Sequence, residues 1–276
     1  MPDRYAVIGN PVTHSKSPLI HAQFARQTGQ DISYTAIGAD DTTFESVVAR
    51  FRSEGGLGMN VTLPFKHRAY ALASERSTRA AQALAANTLL FRGSSVLADN
   101  TDGHGLVRDL VVNLACALRG RRLLLMGAGG ASYGVCGPLL DEAPAALVVA
   151  NRTIDKAHAM RAHFVTLHGA AGCLSASSYD ALAGRSFDVV INATSAGLTG
   201  EMPALPDELF APGALAYDMV YGRSTPFLEF AKARGVRAAD GLGMLVEQAA
   251  ESFYVWRGLR PETAPVIAQL RTMTQE

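Results

Sequence analysis

The sequence predicts a two-lobed α/β protein with a cleft between its lobes, and three observations carry that expectation. Strand-like segments alternate with segments of helical periodicity, the pattern of parallel sheets covered by helices. The apolar run Leu123 to Met126 leads into the glycine turn Gly127-Ala128-Gly129 and then a helical stretch. The length of 276 residues suits one large domain or two modest ones at about 150 residues each.

In chain order, Tyr5–Ile8 reads as a strand and residues 9–16 as a loop. Ser17 is then expected as N-cap and Pro18 as the first helical residue. Ile32–Ile37 is rich in β-formers, and Phe44, Val47, Val48 and Phe51 recur at helical spacing. Gly58–Thr62 reads as a strand stopped by Pro64, while Asn87-Thr88 and Asn100-Thr101-Asp102-Gly103 read as turns beside apolar runs. A second α/β unit begins near residue 104, with a helix expected over Leu106 to Leu118. The strand Leu123–Met126, a helix to about Leu140, and strands at Leu147–Ala150, Asp188–Ile191 and Leu215–Met219 follow. From Met244 the tail is helical again, with Leu245, Gln248, Ala249 and Ser252 along one face.

Composition limits what such a protein does. Hydrophobic residues make up 48% and charged residues 18%, enough apolar material for a core and too much for disorder. Twenty-five basic residues balance 25 acidic ones, so there is no basic excess for nucleic acid or a membrane surface. A small-molecule substrate is expected, acted on by a monomer or homodimer. Cys116, Cys136 and Cys173 share no metal or redox spacing, and the N-terminal residues do not read as a signal peptide. A cytoplasmic setting is the expectation. The uncharged stretch from Leu123 to Leu140 is long enough to raise a membrane span, but its glycines and Pro138 suit strand, turn and helix better.

Gly127-x-Gly129 lets the backbone approach a pyrophosphate at a helix N-terminus, although Ser132 stands at the usual third glycine. About 20 residues on, where a carboxylate would mark NAD, the chain has Asn151-Arg152-Thr153 with Lys156 beyond. Arg152 and Lys156 can neutralise a 2′-phosphate and Thr153 can hydrogen-bond it, so NADP is the expected cofactor. In the first lobe, Ser15-Lys16-Ser17-Pro18 combines two hydroxyls with a helix N-terminus, a natural carboxylate site, although plain N-capping also explains Ser17. Asn60 and Thr62 share a strand face, and Lys66 follows in the loop, where a lysine can act as a proton donor. His14 and His67 adjoin these loops, but no His-x-x-x-His pair exists, so no metal is expected.

Nine segments together resemble the shikimate dehydrogenases. They are Ser15-Lys16-Ser17-Pro18, Asn60-Val61-Thr62-Leu63-Pro64-Phe65-Lys66, Asn87-Thr88-Leu89, Asp99-Asn100-Thr101-Asp102-Gly103, Gly127-Ala128-Gly129-Gly130-Ala131, Asn151-Arg152-Thr153, Asn192-Ala193-Thr194-Ser195, Tyr217-Asp218-Met219-Val220-Tyr221, and Asp240 to Gln248. They occur in order and span nearly the whole chain. The resemblance implies an N-terminal α/β substrate-binding and catalytic domain (1–102, completed by helices over 244–276) and a Rossmann-type NADP-binding domain (103–243). It implies reversible NADPH-dependent reduction of 3-dehydroshikimate to shikimate, in the shikimate pathway of aromatic amino acid biosynthesis.

By that likeness Lys66 and Asp102 are catalytic, and Ser15, Ser17 and Tyr221 hold the substrate carboxylate. Thr62, Asn87, Asp102 and Gln248 hold the ring hydroxyls. Gly127, Ala128, Gly129, Gly130, Ala131, Asn151, Arg152, Thr153, Lys156, Thr194, Met219 and Gly241 contact the cofactor. Three positions depart from the family pattern: Tyr133 and Lys156 stand where arginine is common, and Leu84 replaces a glycine. Two other readings compete. A broader quinate/shikimate dehydrogenase would favour an acidic residue after Leu147–Ala150, and a non-catalytic sensor should lose the Lys66 and Asp102 pair.

Overall fold

Two six-stranded sheets organise the chain. The computed structural model describes residues 1–194, 196 and 201–275, so Ser195 of the sequence motif lies outside the described residues. The chain packs as two units, Met1–Gly105 with Leu245–Glu276, and Leu106–Met244.

The first unit holds β1 (Asp3–Gly9), α1 (Ser17–Thr28), β2 (Ile32–Gly38), α2 (Phe44–Ser53), β3 (Gly56–Val61), α3 (Lys66–Leu72), β4 (Glu75–Arg76), α4 (Thr78–Ala83), β5 (Thr88–Arg92) and β6 (Ser95–Asp99). The helix α5 (Asp102–Arg108) begins in it. The strands run in the order β2-β1-β3-β5-β6-β4. This sheet is mixed and not purely parallel: β1 pairs in parallel with β2 and β3, whereas β5 runs antiparallel to both β3 and β6. The reversal is a hairpin, because Arg92 pairs with Ser95 across the two residues Gly93 and Ser94, with Gly93 at φ +53°. One sheet face buries Ala6, Ile8, Met59 and Val61 against Phe44, Val48, Phe51 and Phe65. Tyr5, Leu90 and Trp256 pack together in a separate cluster.

The second unit holds β7 (Arg122–Met126), α6 (Gly130–Asp141), β8 (Ala146–Ala150), α7 (Ile154–His168), β9 (Leu174–Ser177), β10 (Phe187–Asn192), β11 (Phe210–Asp218), α8 (Pro226–Lys232) and β12 (Arg237–Asp240). All five pairings are parallel, in the order β12-β11-β10-β7-β8-β9, the doubly wound arrangement. Both faces of β7 are buried: Leu123 and Leu125 join one core cluster, Leu124 and Met126 the other. The uncharged run from Leu123 is thus a buried strand, a turn and a helix. No helix among the described residues is long and apolar enough to cross a membrane. The chain closes with α9 (Leu242–Arg257) and α10 (Ala264–Gln275).

Three local expectations are corrected. Ser17 is the first helical residue and not the N-cap; Lys16 holds the cap position, and the Ser17 amide donates to Ser15 Oγ at 3.2 Å. The helix expected over Leu106 to Leu118 starts earlier, at Asp102, and passes at Arg108 into a π turn over Asp109–Asn113. Ala115 at φ +50° then turns the chain away. Residues 100–103 are accordingly the start of a helix and not merely a turn: the Asp102 amide donates to Asn100 Oδ1 at 3.2 Å, and the Gly105 amide to the Thr101 carbonyl.

Leu84 also has a physical account. It ends α4 in the left-handed region at φ +53°, ψ +26°, a conformation that disfavours a β-carbon and favours glycine. The side chain is exposed and contributes little burial. Leu84→Gly removes about 1–2 kcal/mol of backbone strain and adds back about 0.5–1 kcal/mol of unfolded-chain entropy. A net gain of stability is expected, read as a raised urea midpoint. A lowered midpoint would contradict the strain.

Candidate active site

The ends of β3, β5 and β6 and the start of α5 deliver the polar residues of the first unit to one place. Lys66 opens α3, just after β3 and Pro64, and its Nζ donates to Asp102 Oδ2 at 2.5 Å. The side chains are 22% and 10% exposed, so the pair is largely desolvated. Asp102 is held from its other oxygen. Asn87 Nδ2 donates to Asp102 Oδ1 at 2.8 Å, and the same amide lies 2.9 Å from Thr101 Oγ1 and 3.1 Å from Gln248 Oε1. Asn87 Oδ1 accepts from the Thr101 amide at 2.9 Å. Lys66, Asp102, Asn87 and Gln248 thus form one hydrogen-bonded cluster, with Gln248 supplied by α9.

Beneath it lies a second polar layer. Asn60 Nδ2 donates to Ser252 Oγ at 2.9 Å and to the Asn87 carbonyl at 3.1 Å, while Tyr34 donates to Asn60 Oδ1 at 2.7 Å. Thr88 and Ser252 hydroxyls meet at 2.7 Å. Burial raises the Tyr34 phenol well above its ordinary pKa, with the Ser17 hydroxyl beside it pulling the other way. His21 stacks on Tyr34 at 4.2 Å; burial lowers its pKa to about 3 against a weaker pull from Asn60, so the ring is neutral. Ser15 and Ser17 stand together at the N-terminus of α1. Thr62 sits past the end of β3, its amide donating to the Ile8 carbonyl. Tyr221 lies in the second unit, after β11, where burial raises its phenol and keeps it a neutral donor.

In the second unit the carboxyl ends of the parallel strands form the ligand-binding edge expected of this topology. Gly127 sits at φ +103°, and a β-carbon there would press on Thr194, the Ala193 carbonyl and Ser132 Oγ at 3.2–3.3 Å. Gly129 caps α6 with no side-chain hydrogen bond to its first amides. Ala128 is buried, Ala131 exposed, and Gly130 opens the helix. Ser132 Oγ is buried yet has no hydrogen-bond partner among the described residues. Free amides, a close backbone and an orphaned hydroxyl suit an anionic pyrophosphate, so these residues fit a dinucleotide.

The remaining predicted cofactor residues lie in the same unit. At the end of β8, Asn151 Nδ2 donates to the Thr153 carbonyl at 2.8 Å, fixing the turn that presents the exposed side chains of Arg152, Thr153 and Lys156. Thr194 donates to Asn192 Oδ1 at 2.7 Å, and Asn192 binds Asp218 across β10 and β11. Gly241 has no room for a side chain, since a β-carbon would fall 2.3 Å from the Met219 carbonyl oxygen. Tyr133 packs on α7, its ring 5.5 Å from His163 and 5.8 Å from Phe164. Among the described residues no group of three His, Cys, Asp or Glu side chains is placed to hold a metal.

Sequence reading missed how much of the support is buried. Thr88, Asn100, Thr101 and Ser252 hold the cluster together, and Asn100 Nδ2 donates to the Ala85 carbonyl at 3.0 Å. The signal was an unusual density of Asn, Thr and Asp beside apolar strands, which turn chemistry alone also explains.

Comparison with known proteins agrees in every part of the chain. The family description "Shikimate dehydrogenase substrate binding domain" matches residues 7–89, "Shikimate / quinate 5-dehydrogenase" residues 109–199, and "Shikimate 5'-dehydrogenase C-terminal domain" residues 241–271. The chain is 58% identical to the shikimate dehydrogenase (NADP(+)) of Nitrosospira multiformis over 274 residues, covering 99% of this chain and 98% of that one. It superposes on the crystal structure of an Ael1 enzyme from Pseudomonas putida with a TM-score of 0.91 and 51% identity, covering 97% of this chain and 98% of that one. A Thermus thermophilus shikimate 5-dehydrogenase, solved with NADP(H) and shikimate, gives a TM-score of 0.86 at 32% identity, covering 98% and 99%. This chain therefore belongs to the shikimate dehydrogenase family.

Proposed function

We propose that the Lys66–Asp102 pair is the proton-transfer centre for the activity of this family, the reversible NADPH-dependent reduction of 3-dehydroshikimate to shikimate in the shikimate pathway. The observation that carries the assignment is the 2.5 Å contact between Lys66 and Asp102 inside a cluster that also holds Asn87 and Gln248. NADPH, when bound, supplies the hydride. As negative charge grows on the substrate's carbonyl oxygen, the Lys66 ammonium stabilises it and gives up a proton from Nζ, forming the alcohol. Asp102 faces the Lys66 ammonium as its counter-charge and orients it. In the oxidative direction Lys66 takes the hydroxyl proton.

The first unit is the substrate-binding domain in this reading and the second is the NADP-binding domain. Ser15, Ser17 and Tyr221 bind the substrate carboxylate through hydroxyl donors, while Thr62, Asn87, Asp102 and Gln248 bind its ring hydroxyls. Gly127 to Ala131 carry the pyrophosphate, Asn151 to Thr153 with Lys156 the 2′-phosphate, and Thr194, Met219 and Gly241 the nicotinamide end. The three cysteines are unpaired, which supports work in a reducing cytoplasm.

The test is oxidation of NADPH with 3-dehydroshikimate, run beside NADH, and the reverse reaction on shikimate beside quinate. Fast turnover of NADPH with 3-dehydroshikimate and of NADP with shikimate, with NADH and quinate poor in their places, supports the reading. Equal rates with NADH or quinate point to the broader quinate/shikimate dehydrogenase. Arg152 is the residue on which cofactor choice rests. Arg152→Ala is expected to raise KM for NADP by about tenfold, one lost charge-assisted contact, and to leave KM for NAD unchanged. An equal rise for both cofactors would remove Arg152 from 2′-phosphate recognition.

A further inference from the structure

Below the cluster, a buried charged group joins two of the segments that deliver its residues. Asp99 ends β6, three residues before Asp102, and is 5% exposed. Arg79 of α4 grips it with two contacts, Nε to Oδ1 at 3.1 Å and Nη2 to Oδ2 at 2.6 Å. The third guanidinium nitrogen of Arg79 reaches Glu251 Oε1 at 2.7 Å. Glu251 lies on α9 three residues after Gln248 and is likewise 5% exposed. Its other oxygen pairs with Arg260 at 2.7 Å and with His104 at 3.1 Å. Burial works against the charge on Glu251, but Arg79, His104 and Arg260 outweigh it and hold the carboxyl below its ordinary pKa.

Asp99 passes this anchoring directly to the site. Asp99 Oδ1 accepts from the Asn100 amide at 2.7 Å and from Ser77 Oγ at 2.5 Å, and its carbonyl accepts from the Asn87 amide at 3.1 Å. Asn100 in turn caps the Asp102 amide. On the other side, α9 carries Gln248, whose carbonyl accepts from Thr101 Oγ1 at 3.0 Å. The segment bearing Asp102 and the helix bearing Gln248 therefore share one guanidinium. Asp99 and Glu251 are buried while the Arg79 side chain stays 29% exposed, and desolvating two carboxylates is costly enough that such ion pairs are weak evidence of a purely stabilising role. A planar, forked cation gains its use where two carboxylates must keep a fixed spacing.

We infer that Arg79 is a positioning residue that sets the distance between Asp102 and Gln248, and so couples proton transfer to binding of the substrate's ring hydroxyls. The inference rests on the roles proposed above for Asp102 and Gln248. Lysine at position 79 keeps the charge but cannot hold Asp99 in a fork while reaching Glu251.

The experiment compares wild type, Arg79→Lys and Glu251→Gln in shikimate oxidation by NADP, with thermal melts on each. Arg79→Lys is expected to fold, lower kcat by about tenfold, raise KM for shikimate by about tenfold, and leave KM for NADP within about twofold. Glu251→Gln keeps the Asp99 fork and weakens the links from α9 to Arg79, to His104 of α5 and to Arg260, so KM for shikimate rises by about threefold to fivefold while kcat changes less. A loss of thermal stability with kcat and both KM values unchanged in either variant makes the network merely structural and overturns the inference. Should Arg79→Lys fail to fold, the KM of Glu251→Gln decides alone. No turnover by wild type would instead overturn the proposed function, a result separate from any ratio between variants.

Discussion

Lys66→Met is expected to lower kcat for shikimate oxidation by about three orders of magnitude, the range for loss of a placed acid–base group. Methionine matches the length and apolar stem of lysine, so α3, which Lys66 opens, has no reason to unwind. What disappears is the ammonium 2.5 Å from Asp102 and its exchangeable proton. The residues that fit NADP all lie in the other unit, which leaves NADPH affinity within about twofold of wild type. Steady-state rates and a fluorescence titration of bound NADPH measure the two quantities on the same sample. A kcat near wild type would remove Lys66 from the reaction.

Asp102→Asn should act almost as strongly, through a different fault. The substituted side chain keeps the shape of the aspartate and can still accept from Asn87, which lies 2.8 Å from Oδ1. Its amide nitrogen, however, stands where Oδ2 now faces the Lys66 ammonium, setting donor against donor. Lys66 loses its counter-charge and turns away from the substrate. A fall in kcat of about a hundredfold is expected, together with a KM for shikimate raised severalfold because a hydroxyl contact is lost too. Unchanged kcat with raised KM would make Asp102 a binding residue only.

Much of this site was legible because its residues are held by local chain geometry. Asn60 to Lys66 and Gly127 to Ala131 are strand ends followed by turns or helices, and such junctions show in a sequence as an apolar run meeting Gly, Pro or polar residues. The Asn87 and Asp102 segments were harder. Their function depends on β5 and β6 forming an antiparallel hairpin, and the Gly93-Ser94 loop that reverses the chain is a weak signal inside an otherwise alternating pattern. The start of α5 was hidden for a related reason: Asn100 is a turn-former whose side chain here caps a helix at the Asp102 amide.

The Arg79, Asp99 and Glu251 group could not be read at all. Its members lie 20 and 172 residues apart from Arg79 and meet only through the tertiary fold. Leu84 illustrates the reverse case, an anomaly visible in the sequence whose cause needed a backbone angle.

Whether Lys66 and Asp102 act as one proton-transfer unit is decided by a double-mutant cycle on kcat for shikimate oxidation. Wild type, Lys66→Met, Asp102→Asn and the double variant would be measured at saturating NADP. If the pair works as a unit, the double variant loses about as much as Lys66→Met alone, because Asp102 has nothing left to orient. Losses that multiply, with the double variant about a hundredfold below Lys66→Met, would show two independent contributions and contradict the account.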